Sequence, residues 1–206
     1  MSYSQRPLNS PKFKLIYENN EIKQVDAAKF LGLKIDNRLN WKHHIDELCI
    51  RISSLSFALY KLSTTVNIDA LLTAYFGLIE SLLRYGLIFW GNSTNKDQAF
   101  KMQKRCIRAM FKIKSTDSCQ PFFIKHQILT LPSLYILEIA LFVRSNPHWF
   151  PLLSDHVIRN RRNKYKDYLQ IHSAKTALLH KSVICMAPLI YNKIPEKIKE
   201  IANTNI

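Results

Sequence analysis

Residues 30–41, FLGLKIDNRLNW, decide how this chain is read, because one periodicity ends there and another begins. Before the turn, Phe30 and Leu31, then Leu33 and Ile35, fall on the two faces of an extended segment, with Gly32 where a neighbouring backbone can approach. This pattern predicts a strand over residues 30–36. Asp36, Asn37, Arg38 and Asn40 then make a polar break, and Asn40 is placed to cap a helix opening at Trp41. A strand apolar on both faces has to be covered on both.

Working outward, residues 12–17 and 22–25 flank the turn Glu18-Asn19-Asn20-Glu21 and predict a short hairpin, which brings the expected β content to three strands. Everything after Trp41 has helical periodicity. The first helix, 41–62, carries Ile45, Leu48, Ile52, Leu55, Leu59 and Leu62 as one apolar seam. Asn67 caps a second helix that runs to Tyr85 and is apolar almost all round, the pattern of a bundle centre. A third helix is expected over 96–112, a loop over 115–121, a short helix over 122–127 and a longer one over 132–144, with Pro132 in its first turn. Residues 155–167 read as a polar, basic linker, and residues 176–201 as two helices divided near Pro188 and Pro195. The expected fold is therefore mainly α: a helical bundle with a small N-terminal β element of two or three strands.

Composition agrees. An apolar fraction of 47% suits a folded chain, and 4 glycines in 206 residues disfavour a turn-rich all-β design. Lys and Arg total 30 against 15 acidic residues, a formal charge of +15 that asks for an anionic partner, either nucleic acid or an anionic membrane surface. Cys49, Cys106, Cys119 and Cys185 lack zinc-knuckle spacing and read as reduced thiols. Residues 1–14, MSYSQRPLNSPKFK, lack a signal-like apolar core, so a nuclear or cytoplasmic address is expected. The most apolar region, 68–90, is interrupted by Asp69, Glu80 and Arg84, so no membrane span is expected.

The positive charge is patterned. Lys101, Lys104, Arg105, Arg108 and Lys112 fall within about a third of a helix circumference at about 100° per residue. No acidic residue lies between Asp97 and Asp117, so local i, i+4 pairing cannot neutralise the stripe. A solubility face normally mixes signs; a uniformly positive one beside a broad apolar face suits a phosphate backbone. A second run, Arg159, Arg161, Arg162, Lys164 and Lys166, is equally consistent with phosphate contact and with a nuclear-import signal. Trp41, Trp90, Tyr85 and Trp149 lie near element ends, where core packing is the better reading than base stacking. His43 and His44 diverge on a helix and are expected at the surface.

No phosphate-loop, metalloprotease or nucleophile-elbow motif occurs, and no pair of carboxylates is spaced to hold two metal ions. Neither a catalytic residue nor a metal ligand is expected in this chain.

Five segments do carry a resemblance: FLGLKIDNRLNWKHHI (30–45), RYGLIFWGNS (84–93), MQKRCIRAMF (102–111), ILTLPSLYI (128–136) and APLIYNKIPEKIK (187–199). In this order they resemble the reverse transcriptases, or RNA-directed DNA polymerases, of non-LTR retrotransposons, particularly the jockey-like group. The resemblance implies three parts: an end-of-palm remnant over residues 1–36, a thumb-like helical bundle over 37–114 and a C-terminal helical region over 115–206. Phe30, Leu31 and Gly32 would then border the primer grip. The paired catalytic aspartates of a YADD-type motif would precede Lys12, so this chain alone is expected to be inactive, with Mg²⁺ and deoxynucleotides belonging to the missing palm. The implied partners are RNA, DNA or an RNA/DNA hybrid and the rest of a polymerase, and no membrane. Ile158-Arg159 stands where relatives often carry Thr-Arg, and Ala187 where they often carry glycine. The alternative from another class is a stand-alone helical interaction module, or a degenerate product without activity.

Overall fold

The computed structural model describes residues 15–22, 25–153 and 168–199. The chain is mainly α; among the described residues its strands form two antiparallel hairpins near the N-terminus, and one isolated antiparallel bridge joins Leu152 to Leu169. Contacts cluster into two compact units: the described residues up to Gly86 together with Ser93–Ile128, and Leu87–Asn92 together with the described residues from Leu129 on.

In the first unit, β1 (Leu15–Tyr17) pairs with β2 (Asn20–Ile22), and β3 (Ala27–Phe30) pairs with β4 (Leu33–Asp36). The expected single strand over residues 30–36 is thus a hairpin, and the described residues hold four strands rather than three. Leu31 and Gly32 form its two-residue turn with φ of 46° and 80°. Positive φ at both positions gives the tight turn whose twist matches that of the flanking strands. Gly32 accommodates this freely, whereas Leu31 does so at a cost of about 1–2 kcal/mol. Compensation comes from the Tyr85 hydroxyl, which donates to the Leu31 carbonyl.

Asp36 ends β4 buried and turns the chain. Its carboxylate accepts from the backbone N–H groups of Arg38 and Asn40, both at 3.1 Å, and of Trp41 at 2.8 Å. Trp41 takes a left-handed conformation, so α1 spans Lys42–Leu62 and starts one residue later than expected. Asn40 still serves the helix start, accepting from the Lys42 N–H at 2.9 Å. Along α1 the buried side chains include Ile45, Leu48, Ile52 and Leu59 of the expected seam.

Asn67 caps α2 (Ile68–Tyr75) as expected, accepting from Ala70 N–H at 2.9 Å. The helix continues through a π turn at Phe76–Glu80 into α3 (Ser81–Arg84). Leu71, Tyr75, Ile79 and Leu83 are its buried residues, spaced four apart. In a regular helix that spacing drifts by about 40° per step at 3.6 residues per turn, and the wider π turn absorbs part of the drift. Phe76 and Leu78 stay exposed, so this helix buries one line of residues instead of serving as a bundle centre. Two further helices complete the unit, α5 (Lys96–Phe111) and α6 (Gln120–Lys125), the first packed lengthwise on α1.

The second unit contains the single turn α4 (Leu87–Trp90), α7 (Leu131–Ser145), a 3₁₀ turn at Pro147–Trp149, α8 (Ala177–His180) and α9 (Val183–Tyr191). Thr130 caps α7, with Pro132 in the first turn where its missing N–H costs nothing. Gly91 is fixed by packing: a Cβ there would lie 2.4 Å from the Tyr135 ring. Pro188 does not divide the last helices, since it lies buried inside α9, which is preceded by a break at Lys181 and Ser182; Pro195 does mark a division, closing the break at 192–195 before the helical residues 196–199. Asn192 substitutes for a neighbouring strand, donating to the Leu169 carbonyl at 2.9 Å and accepting from its N–H at 2.8 Å.

Asp36 is expected to be the most sensitive polar residue of the first unit. Asp36→Ala strands three backbone donors and should cost about 2–4 kcal/mol, taking about 1.5–3 for hydrogen bonds to a charged group and allowing water to recover part. Asp36→Asn should lose about half as much, because its amide oxygen still accepts while its NH₂ meets one donor. Chemical denaturation midpoints of the three proteins test the order.

Candidate nucleic-acid interface

The face α5 presents to solvent is decided by the face it buries. Ala99, Gln103, Cys106, Ile107 and Met110 form the dry side. Gln103 is fully buried and donates to the Tyr75 hydroxyl at 3.0 Å. Burial holds that phenol well above its ordinary pKa, with the Gln103 hydrogen bond working the other way. At the N-terminal end Gln98 reaches across to the Asp46 carboxylate at 3.0 Å. Burial also pushes the Cys106 thiol up to about 11, against a hydrogen bond with Ser56, so this cysteine is a packing residue and not a nucleophile.

Opposite that side lie the basic residues singled out in the sequence. Lys101 and Arg105 are exposed, and Lys104 and Arg108 are half-buried. The Lys104 ammonium sits 4.6 Å from the centre of the Phe100 ring, and an Arg105 N–H points at the Met102 sulfur at 3.7 Å. Arg108 turns toward the following loop, donating to the Asp117 carbonyl at 3.2 Å, and its Nε is buried without a partner. Lys112 is exposed but sits past the last turn, where it takes the left-handed conformation that ends the helix. The structure therefore brings four of the five onto one helix face. Among the described residues, no carboxylate forms an ion pair with any of the five.

Phe30, Leu31 and Gly32 come together at the tip of the β3–β4 hairpin, where Phe30 is 62% and Leu31 74% exposed. Both this hairpin and α5 pack on α1. Arg159, Arg161 and Arg162 lie outside the described residues. Among the aromatics, Trp90 is fully buried, in keeping with a core role, whereas Trp149 is half exposed beside Phe142.

Two features escape a reading of the sequence. His44 is buried, not at the surface, against the edge of the Trp41 ring at 6.2 Å. Its burial lowers the imidazole pKa, assisted by Arg51 and opposed by Glu47. At the C-terminal end of α5, Phe111 stacks on His126 at 4.6 Å and lies 5.0 Å from Phe122. The spacing of four between Phe122 and His126 was readable; the approach of Phe111 was not.

Among the described residues no helix is long and apolar enough to cross a membrane, and no group of three His, Cys, Asp or Glu side chains is placed to hold a metal ion. Comparison of the chain with protein-family models, with curated protein sequences and with solved structures returns no match.

The Gln103–Tyr75 bond should be costly to break from one side only. Tyr75→Phe removes the acceptor that Gln103 uses and is expected to destabilise the protein by about 1–3 kcal/mol. The double variant Tyr75→Phe/Gln103→Met should recover part of that loss, because no buried amide then lacks its acceptor. Denaturation midpoints of the wild type, Tyr75→Phe and the double variant are the test.

Proposed function

We propose that this chain binds the sugar–phosphate backbone of a nucleic-acid duplex through the basic face of α5. In this reading it is the thumb and C-terminal portion of an RNA-directed DNA polymerase of the non-LTR retrotransposon type. The observation that carries the reading is a helix whose buried side fixes its orientation and whose exposed side is cationic, without paired carboxylates among the described residues. Such a face contacts phosphates and positions a duplex; it does not read sequence. RNA/DNA hybrid is the natural probe, since a polymerase of this type must hold template and primer together.

The exposed β1–β2 hairpin supports the same reading. Ile16, Tyr17 and Ile22 are 67%, 66% and 55% exposed, and an isolated two-stranded hairpin is marginal in water. A palm contributed by the rest of a polymerase would supply the missing strands, the catalytic carboxylates and their Mg²⁺. This chain then holds nucleic acid and performs no chemistry alone.

One observation favours the second reading, a helical interaction module: Ile50 and Phe57 lie seven residues apart on α1 and are 68% and 63% exposed. Titration with hybrid duplex separates the two. With three phosphate contacts, raising salt from about 50 to 200 mM should weaken binding about 40-fold. Lys101→Glu/Arg105→Glu should lower affinity at least tenfold and flatten the salt slope by about 2. Both residues are exposed, so the fold should survive the changes. Salt-independent binding, or binding indifferent to the double substitution, decides for the module.

A further inference from the structure

We propose that the first unit contains a second anion site, separate from the α5 face: a pocket between the β3–β4 hairpin and α1 in which Lys29 and Arg51 hold a tetrahedral phosphate group against His44.

The pocket has a volume of about 120 Å³, roughly ten times the ~10–15 Å³ that one water molecule needs. Its walls come from three places. Lys29 and Gly32 belong to the hairpin, His44, Glu47 and Arg51 to one face of α1, and Tyr85 follows α3. Gly32 and Tyr85 meet along one wall, where a Cβ on Gly32 would stand only 3.3 Å from the Tyr85 ring.

The charge around this space is unbalanced. Lys29 and Arg51 both line it; the Lys34 hydrogen bond chiefly holds the Glu47 carboxyl below its ordinary pKa against its desolvation, with smaller contributions from the charges of Arg51 and Lys29. Glu47 is the carboxylate beside them, but Lys34 engages it at 2.5 Å. Among the described residues three cations therefore face one carboxylate, and Lys29 and Arg51 are left for an anion. The guanidinium fork of Arg51 suits two oxygens of one phosphate, and the Lys29 ammonium supplies a third donor from the opposite wall.

His44 makes the pocket responsive. The titratable groups lining the pocket with it are Glu47 and Arg51 on its own helix, Lys29 from the hairpin and Tyr85 from beyond α3, and Lys34 from the hairpin pairs with Glu47. Burial and Arg51 disfavour the imidazolium. A phosphate between Arg51 and Lys29 reverses that balance, because a nearby anion favours the charged ring. Phosphate binding should therefore strengthen as pH falls through the His44 titration, and bound phosphate should raise the pKa of His44.

The test follows the His44 ring protons by NMR during titration with sodium phosphate, at ionic strength held constant with sodium chloride. Saturable movement of the His44 resonance is expected, with a raised His44 pKa at saturation. Lys29→Gln and Arg51→Gln should each weaken it at least fivefold, both residues being exposed enough to change without unfolding the protein. The Lys101→Glu/Arg105→Glu protein should respond like the wild type, which separates failure here from failure of the α5 reading. A short thymidine oligonucleotide in place of free phosphate distinguishes the sources: a response to either species supports the site and identifies its ligand as free or esterified phosphate. No movement of His44 beyond the chloride control with either species overturns the proposal, as does movement unchanged by both single substitutions.

Discussion

The hydrogen bond between Gln103 and Tyr75 governs the first unit, because it sets the rotation of α5. Apolar burial is non-directional, and by itself it would tolerate a modest roll of α5 over α1. A buried amide that must meet a buried phenol tolerates much less, since a roll that separates them forfeits the bond and leaves both desolvated. Rolling by one residue would also carry Lys104 toward the interior, which a buried charge without a partner forbids. The outward direction of Lys101 and Arg105 is thus a consequence of chemistry on the opposite side of the helix. Charge placement at the surface is inherited from a polar contact in the core.

A comparable economy governs the hairpin. Leu31, Leu39 and Trp41 are non-glycine residues with φ of 46°, 51° and 63°, each costing about 1–2 kcal/mol. Those costs are met locally. Tyr85 bonds the Leu31 carbonyl, the Asp36 carbonyl accepts from Leu39 N–H, and the Asp36 carboxylate gathers the donors around Trp41. Gly86, at φ 62°, lets the backbone beyond α3 lie against Leu33, where a Cβ would come within 2.8 Å of that side chain. The hairpin is consequently tied at its tip to the end of α3 and at its base to the start of α1. These two ties create the pocket and bury His44.

What could be read from the sequence follows the range of the interactions concerned. The α1 seam, the Asn67 cap, Pro132 in the first turn of α7 and the basic face of α5 rest on spacings of three or four residues, and all were legible. The β3–β4 turn was not, although Gly32 marked it, because Leu31 adopts a conformation that leucine ordinarily avoids and only Tyr85, far along the chain, makes it tenable. His44 next to His43 gives no hint of burial until the hairpin is placed over it. Arg108 counts as one more cation in the sequence, yet the Asp117 carbonyl and its own buried Nε make it partly a loop anchor. Pro188 punctuates a sequence strongly but is absorbed within α9, where packing outweighs one lost helical hydrogen bond. Phe30, Leu31 and Gly32, read from the sequence as part of one strand, form the tip of a hairpin instead.

The two cationic regions differ in a way that bears on what each can hold. From Lys101 to Arg108 the helix rises about 10.5 Å at 1.5 Å per residue, close to three phosphate-to-phosphate steps along one strand at about 3.4 Å each. Lys101 and Arg105 lie about 6 Å apart along the axis, inside the Debye length of about 8 Å at physiological salt. They therefore repel one another, and nothing acidic in the described residues relieves them. The pocket over α1 is the reverse case. There Glu47 and Lys34 satisfy each other, and the remaining positive charge converges on a space too small for a strand. An extended polyanion would relieve the first arrangement and a single oxyanion the second, so the two proposed sites differ in the ligand geometry they favour.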